Sequence, residues 1–286
     1  MRKQMSFITG LFLLNLSLSA QDDKILEIIK NWNVPDRVSS ITNHFELASK
    51  ETNTIYKIHI HLPLTYFDGN KKYPVFYVTD GFYTSGLASA TFDMLSMPKQ
   101  VSEVIIVAID YDSYDMVDYS RNRFRDHMPT HVIGYEPSGG ADKFLAFFEN
   151  ELFPFVEKNF RADSSERCYS GHSSGALFGA YVLLEKPQLF NKYMLGSPAY
   201  WWDNNDIINR AKKSSDKLKG QHLIIYTYEY ENKNQLMNFN EFNNILKSSL
   251  GQNSVIDKVY KNETHHSVAI TAFSEAVRVL YGIKSK

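Results

Sequence analysis

Hydrophobic and polar positions alternate along residues 54–62, and compact apolar runs recur further along the chain. The alternation predicts a strand with one exposed face, because successive side chains of a strand point to opposite sides. The runs PVFYVT (74–79) and VIIVAI (104–109) are rich in β-branched and aromatic residues, which is typical of parallel strands covered on both faces. Similar patterns predict further strands at 190–196, 223–227 and 255–260.

Helical periodicity lies between these strands. Apolar residues recur at helical spacing over 143–159, and further helices are predicted at 175–186, 234–249 and 268–281. Strands that alternate with helices indicate an α/β fold, with a mostly parallel sheet covered by helices on both faces. No Pro-, Gly- or Ser-rich linker divides the chain, so we expect one domain.

The stretch 110–141 lacks such a pattern. It is polar and contains two prolines and three glycines, which predicts a long irregular connection. It leaves the carboxyl end of the strand predicted at 104–109, the edge where open α/β sheets place their ligands. A connection this long inside a compact domain is more often functional than idle.

Composition and charge narrow the range of partners. The chain has 286 residues, of which 43% are hydrophobic and 22% charged, as expected for one folded α/β domain. Its net charge of -1 gives no electrostatic reason to expect nucleic acid or an anionic membrane as a partner. The single cysteine, Cys168, excludes an internal disulfide and is expected to pack in the core.

The first twenty residues carry the pattern of a secretory signal peptide. Arg2 and Lys3 precede an uncharged apolar run at 7–18, and small residues stand directly before Gln21. We therefore expect residues 1–20 to be removed and a single domain to span residues 21–286, periplasmic or secreted. An uncleaved anchor is the alternative, and no later stretch is apolar enough to cross a bilayer.

The pentapeptide GHSSG (171–175) is the strongest chemical signal. It follows an apolar strand-like lead and precedes a helical run, the context in which G-x-S-x-G forms a nucleophile elbow. The two glycines allow a turn too tight for side chains, and the turn raises the hydroxyl of Ser173. The helix that begins beneath it adds partial positive charge for a developing oxyanion.

A serine hydroxyl needs a base, and that base needs an orienting group. In this fold the order along the chain is serine, acid, histidine, so the candidate bases are His265 and His266 in the loop before the last helix. The candidate acids follow the strand at 223–227, with Glu231 preferred, Glu229 the runner-up and Glu241 more distant.

The remaining groups have predicted roles around the reacting ester. The backbone amides of Gly81, Phe82 and Ser174 are expected to form the oxyanion hole. His59 and His61 have the spacing of a metal pair on a strand, yet no third ligand cluster accompanies them, and an exposed strand face is the preferred interpretation.

Three arginines stand in the polar stretch, at positions 121, 123 and 125. If that segment is extended, alternate spacing points all three to one side as a cationic rim for an anionic substrate. A solvated loop, with the arginines neutralised by Asp118 and Asp126, is the alternative.

Five motifs in order resemble the esterase family of α/β-hydrolases that includes enterobactin/salmochelin-type siderophore esterases, S-formylglutathione hydrolases and feruloyl esterases. The likeness covers about residues 35–284 and is greatest to the siderophore-esterase branch. The motifs are YPVFYVTDG (73–81), the stretch 123–144, GHSSGALFGAYVLL (171–184), SPAYWW (197–202) and ETHHSV (263–268).

The resemblance implies a role for each matching residue. Its nucleophile falls on Ser173, and its T-H-x-S-V context selects His265 as the base. Its acid position falls on Glu231, although Tyr228 stands in place of the usual glycine and a Glu in place of the commoner Asp. A Ser–His dyad, as some siderophore esterases use, is the alternative. Its S-P-x-x-W-W segment places Trp201 and Trp202 in the pocket wall.

These features predict acyl transfer from a small-molecule ester to water through an acyl-serine intermediate, with no metal or organic cofactor. The first hypothesis is a carboxylesterase for siderophore-type or other imported esters. The second is an esterase that removes feruloyl or acetyl groups from polysaccharide. The third is a catalytically silent binding protein on the hydrolase fold, against which the intact elbow and His265 argue.

Overall fold

A computed structural model describes residues 42–113 and 115–283 of the chain. The predicted signal peptide and its cleavage point lie outside these residues. Eight strands form one sheet in the order β1-β2-β4-β3-β5-β6-β7-β8. The first two strands form an antiparallel hairpin, β2 pairs antiparallel with β4, and all later pairings are parallel. The strands are β1 (Thr42–Ser49), β2 (Thr54–His61), β3 (Tyr73–Val78), β4 (Ile105–Tyr111), β5 (Ala162–His172), β6 (Lys192–Gly196), β7 (His222–Tyr228) and β8 (Val255–Tyr260).

Helices cover both faces of the sheet. Two of them, α1 and α8, pack on one face, and the remaining helices pack on the other. The helices are α1 (Gly81–Ser96), α2 (Met116–His127), α3 (Ala141–Phe147), α4 (Phe153–Asn159), α5 (Ser174–Glu185), α6 (Trp202–Ser214), α7 (Lys233–Leu250) and α8 (Ser267–Tyr281). A π-helical turn (Phe148–Leu152) joins α3 to α4, and a 3-10 turn (Ser215–Lys217) follows α6. The predicted α/β-hydrolase architecture is confirmed.

The two cores explain why the central strands have continuous apolar sequences. In β3, Val75 and Tyr77 face the core beneath α3–α5, whereas Phe76 and Val78 face the core beneath α1 and α8. All four side chains are at most 1% exposed. Because alternate residues enter opposite cores, a buried parallel strand has no polar face.

The strands predicted at 54–62, 74–79, 104–109, 223–227 and 255–260 are observed, with ends that shift by one or two residues. The prediction of an irregular stretch at 110–141 is wrong in its middle, where α2 forms. Asp115 caps this helix, its carboxylate accepting hydrogen bonds from the amides of Val117 and Asp118. Only Tyr119, Asp126 and His127 of α2 are buried, so the helix lacks the apolar stripe that identifies a helix in a sequence.

Candidate active site

Ser173 lies in a sharp turn between the central strand β5 and helix α5. Its backbone is strained, with φ 57° and ψ −117°. A Cβ at Gly171 would come within 2.5 Å of the backbone of Gly175, and one at Gly175 within 2.6 Å of the Thr79 hydroxyl. The Ser173 amide donates to the carbonyl of Gly196 at 2.8 Å, which anchors the turn to β6. Only glycine fits at positions 171 and 175 without a clash, and with both glycines present the chain forms the predicted elbow.

Two helix amino termini meet beside this turn. Ser174 opens α5 and Gly81 opens α1, so the first amides of both helices have no partner within their own helix. The turns are close, because a Cβ at Gly175 would lie 3.5 Å from a carboxylate oxygen of Asp80. This arrangement puts the amides of Gly81, Phe82 and Ser174 in the neighbourhood of Ser173. Their role as an oxyanion hole stays a prediction.

A buried ion pair supports the turn that carries Gly81 and Phe82. Asp80 has left-handed backbone angles (φ 61°, ψ 46°), and Arg123 donates to its carboxylate from Nε at 2.6 Å and Nη2 at 3.0 Å. The Tyr119 hydroxyl adds a third hydrogen bond at 3.3 Å. Burial acts to raise the pKa of Asp80, but the charge and hydrogen bonds of Arg123 outweigh it and hold the pKa below the usual value. Asp80 is therefore an anion under the elbow.

The same network extends to the residue after the nucleophile. The Nδ1 atom of His127 lies 3.1 Å from the Ser174 hydroxyl. Burial lowers the pKa of His127 to about 3, so its imidazole is neutral at neutral pH. The neutral ring fixes the side chain at the start of α5 without adding charge to the site.

His265 lies in the loop between β8 and α8, next to the elbow. Its ring centroid is 4.8 Å from that of His172, the residue before the nucleophile. The Nε2 atom of His172 donates to the backbone carbonyl of His265 at 2.7 Å. Burial, followed by the charges of His266 and Arg123, lowers the pKa of His265, which favours the neutral form that a general base requires. Among the described residues no hydrogen bond joins His265 to the Ser173 hydroxyl.

His266, the other candidate base, is exposed, and its ring lies 5.4 Å from that of His265. Thr264 and Ser267 close the loop that carries both histidines. The Ser267 hydroxyl accepts a hydrogen bond from the Thr264 amide at 2.9 Å, and the Thr264 hydroxyl accepts one from the Ser267 amide at 3.2 Å. This reciprocal pair fixes the turn directly before α8, which begins at Ser267.

The candidate acids have different partners. Glu231 lies in the turn after β7, near the hydroxyl of Tyr228. Burial raises the pKa of Glu231, and this effect outweighs the hydrogen bonds of the Tyr228 hydroxyl and the Asn232 amide, which lower it. The ring of Tyr228 packs edge-on against His265, with centroids 6.0 Å apart. Glu229 instead accepts a hydrogen bond from the amide of Asn262 at 2.7 Å, and Glu241 pairs with Lys212. In the described part of the chain, no carboxylate hydrogen-bonds to His265.

The arginines do not form one rim. The segment that carries them is helical rather than extended, so side chains two residues apart point about 200° apart around α2. Arg121 is exposed and lies 3.6 Å from Asp118, Arg123 binds Asp80, and Arg125 binds the buried carboxylate of Asp126. The expectation of a shared cationic face is therefore wrong. Individual contacts of Arg121 and Arg123 with a substrate stay predictions.

The two tryptophans occupy different environments. Trp201 is 39% exposed, whereas Trp202 is 2% exposed and donates from its indole nitrogen to the Thr130 hydroxyl at 3.0 Å. The ring of Trp202 packs against Phe124 and Tyr135. Of the two, Trp201 is the one whose surface a ligand can reach in this conformation.

Sequence reasoning missed three residues that hold the site together. Asp80 and His127 support the two helix amino termini, and His172 binds the loop of the base. His172 is the variable second residue of the pentapeptide, and Asp80 precedes Gly81 in the predicted oxyanion turn, so both stood inside recognised motifs. Their partners, Arg123 and the carbonyl of His265, are distant along the chain and left no sequence signal.

In the parts of the chain that the structure describes, no group of three or more His, Cys, Asp or Glu side chains is arranged to hold a metal ion. His61 instead lies 3.0 Å from the carboxylate of Asp93. None of the described helices is long and apolar enough to cross a membrane.

Comparison with known proteins identifies the family. A family model described as "Putative esterase" matches residues 49–267, and the chain belongs to this esterase family of the α/β-hydrolases. The siderophore triacetylfusarinine C esterase of Aspergillus fumigatus is 32% identical over 174 residues, 58% of this chain and 59% of that protein. The ferri-bacillibactin esterase BesA of Bacillus subtilis is 30% identical over 176 residues, 58% of this chain and 61% of that protein. The chain therefore spans about three fifths of the length of these relatives.

A solved structure extends the similarity beyond the aligned sequences. The crystal structure of the BES protein from Bacillus cereus matches with a TM-score of 0.75 at 25% identity, and the match covers 85% of this chain and 97% of that chain.

Proposed function

We propose that this protein is a secreted serine carboxylesterase that hydrolyses siderophore-type esters. The observation that carries the proposal is the strained Ser173, framed by Gly171 and Gly175, in an elbow whose His172 ring packs against the half-buried His265. The siderophore triacetylfusarinine C esterase and the ferri-bacillibactin esterase among its relatives support the substrate class, and the predicted signal peptide supports secretion.

The first chemical step is attack by the Ser173 hydroxyl on the ester carbonyl. His265 takes the hydroxyl proton, and its lowered pKa keeps the imidazole neutral and ready to accept it. The carbonyl oxygen becomes an oxyanion that the amides of Gly81, Phe82 and Ser174 stabilise. His265 then gives its proton to the leaving alcohol, which leaves an acyl group on Ser173.

The second step returns the enzyme to its starting state. Water enters where the alcohol left, and its oxygen attacks the acyl carbonyl while His265 removes its proton. His265 then gives this proton to the Ser173 oxygen as the bond between that oxygen and the acyl carbon breaks and the carboxylic acid leaves. All protons move between Ser173, His265, alcohol and water, so the reaction requires no metal or organic cofactor.

The orienting acid has two candidate descriptions. In a triad, Glu231 turns toward His265 when substrate binds, since catalytic hydrogen bonds often tighten only in the complex. In a dyad, the hydrogen bond from His172 to the His265 carbonyl and the packing of Tyr228 hold the imidazole instead. We favour Glu231 as the acid because it is half-buried and near Tyr228, whereas Glu229 is occupied by the Asn262 amide.

A substrate panel tests the proposal. We expect the purified protein to hydrolyse p-nitrophenyl acetate and at least one tricatecholate or trihydroxamate siderophore ester, and we expect Ser173→Ala to remove both activities with the fold intact. Activity on p-nitrophenyl and feruloyl esters but on no siderophore would favour the polysaccharide-side esterase instead. Absence of hydrolysis with every ester would favour the silent binding protein.

A further inference from the structure

Two histidines face each other across the edge hairpin of the sheet. In the register of β1 and β2, His44 lies directly opposite His59. Their rings meet edge to face with centroids 4.8 Å apart, and the two Nδ1 atoms are 2.5 Å apart. His44 is exposed and His59 is partly buried. Two imidazole nitrogens therefore converge on one spot at the protein surface.

The other ring nitrogen of His59 faces a carboxylate. Its Nε2 atom lies 3.7 Å from one oxygen of Asp110, whose side chain is 10% exposed. The second oxygen of Asp110 accepts a hydrogen bond from the Tyr111 amide at 2.9 Å, which holds the carboxylate in place. A histidine that binds a metal through one nitrogen usually presents the other to a carboxylate or a carbonyl, and this contact fixes the ring. Asp110 is placed to do so for His59.

The charges around the pair favour a cation. Lys57, two residues before His59 on β2, forms an ion pair with Glu46 and lies 3.4 Å from Asp112. Together with Asp110, these side chains bring three carboxylates and one ammonium group to this part of the molecule. A cation that approaches the two histidines therefore meets a net negative field.

A cavity of about 160 Å³ beside His59 leaves room for water. It lies between α1 and the strands β1, β2 and β4, and a Cβ built at Gly86 of α1 would meet no atom within 4 Å. An ion with two protein ligands completes its coordination with water, and each water occupies about 30 Å³. The polar part of the cavity lining consists of Thr42, His59, His61, Ser85 and Ser89.

His61, which has the sequence spacing of a metal pair with His59, does not belong to this pair. Its Nδ1 atom lies 3.0 Å from the Thr42 hydroxyl and its Nε2 atom 3.0 Å from an oxygen of Asp93, so both nitrogens already have partners. The second imidazole comes from the neighbouring strand instead, which leaves no local sequence signal. A site with two protein ligands agrees with the finding that, in the described ranges, no group of three or more side chains could hold a metal ion.

The ligand type selects the class of ion. Imidazole nitrogens suit Zn²⁺, Cu²⁺ and Ni²⁺, whereas Mg²⁺ and Ca²⁺ bind through oxygen ligands. At metal–nitrogen distances of about 2.0–2.1 Å, a shared ion sets the two nitrogens about 2.9–3.4 Å apart. The rings of His44 and His59 must therefore separate by less than about 1 Å, and the exposed ring of His44 is free to move that far.

From these observations we infer that His44 and His59 bind one divalent transition-metal ion, such as Zn²⁺ or Cu²⁺, with water as the remaining ligands. In the described sheet β1 pairs with β2 alone, so the ion cross-links the edge strand to its neighbour. Because the two nitrogens meet only in the folded hairpin, the ion stabilises the folded state. The site uses neither Ser173 nor His265, and the inference does not depend on the proposed function.

Titration calorimetry of the untagged full-length protein with Zn²⁺ tests the site. We expect binding of about one ion per chain that is lost in both His44→Gln and His59→Gln, because each removes one of two ligands. Asp110→Asn should weaken it by about tenfold or more, as loss of the partner of a metal-binding histidine does. His222→Gln is the matched control and should bind like the wild type, since His222 is an exposed strand histidine near the opposite edge of the sheet.

Electron paramagnetic resonance with Cu²⁺ counts the ligands without relying on a variant. The wild type should show superhyperfine splitting from two nitrogens, and an excess of Mg²⁺ should not displace the ion. Zn²⁺ should raise the midpoint of thermal unfolding of the wild type and of His222→Gln, but not of folded His44→Gln. A folded wild type that binds neither ion, or equal affinity in the wild type, His44→Gln and His59→Gln, would overturn the inference and leave the two histidines as a hydrogen-bonded pair.

Discussion

The nucleophile side and the base side of the candidate site are built differently. Around Ser173 the backbone is strained, two glycines admit no side chain, and Asp80, Arg123 and His127 form a buried polar network. Around His265 the loop is partly exposed and is closed by its own Thr264–Ser267 pair, and the hydrogen bond from His172 and the ring of Tyr228 contact His265 itself. From this difference we expect the turns that carry Ser173 and Gly81 to be fixed before a substrate arrives, whereas the loop of His265 can adjust.

The largest effect is expected from removing the base. His265→Ala should lower kcat for p-nitrophenyl acetate by about three orders of magnitude or more, because the nucleophile and base act as a unit. His266→Ala serves as the control and should lower it far less, since that ring is exposed. Steady-state kinetics at pH 8 measure both variants, and the opposite ranking would assign the base to His266.

The next effect concerns the rigidity of the nucleophile side. Arg123→Gln leaves the Asp80 carboxylate buried without its partner and should lower the free energy of unfolding by about 3 kcal/mol. Arg121→Gln, on the same helix but in an exposed pair, should change it by less than about 0.5 kcal/mol. Urea denaturation provides the comparison, and equal stabilities of the two variants would mean that the buried pair does not support the oxyanion turn.

These contrasts also explain what the sequence allowed us to predict. The strands β3 and β4 were predictable because both of their faces are buried, and the elbow because sterics restrict positions 171 and 175 to glycine. Helix α2 was not, because most of its residues face solvent. The β1 strand was missed as well, since all of its residues except Ser49 are exposed or only partly buried at the sheet edge. The choice of acid depends on a turn whose carboxylates have several possible partners, and no local pattern distinguishes them.

A smaller effect should identify the acid on the base side. Glu231→Gln keeps the shape of the side chain but removes its charge, so a triad predicts a loss in kcat of about tenfold or more. Glu229→Gln keeps an oxygen that can accept from the Asn262 amide, and it should change kcat by less than threefold as an order-of-magnitude estimate. Comparable kcat in both variants and the parent would establish a Ser–His dyad as the better description.

The smallest effect is a shift in pH dependence. In the proposed mechanism the neutral form of His265 is the base, so kcat/KM should rise with pH through the pKa of His265 and level off above it. Burial and the charges of His266 and Arg123 lower this pKa below the ordinary value of 6.5. His266→Gln removes one of these charges and should move the acid limb to higher pH. A shift to lower pH, or a wild-type midpoint above 6.5, would contradict this electrostatic assignment.

Covalent labelling tests most directly whether Ser173 is an activated nucleophile. The full-length protein is incubated with a fluorophosphonate probe, and intact-mass and peptide mass spectrometry locate the adduct. We expect one adduct per chain, on Ser173, that forms fast in the wild type, is absent from Ser173→Ala and is strongly slowed in His265→Ala. A folded wild-type protein that stays unlabelled, or an adduct on another residue that persists in Ser173→Ala, would contradict it.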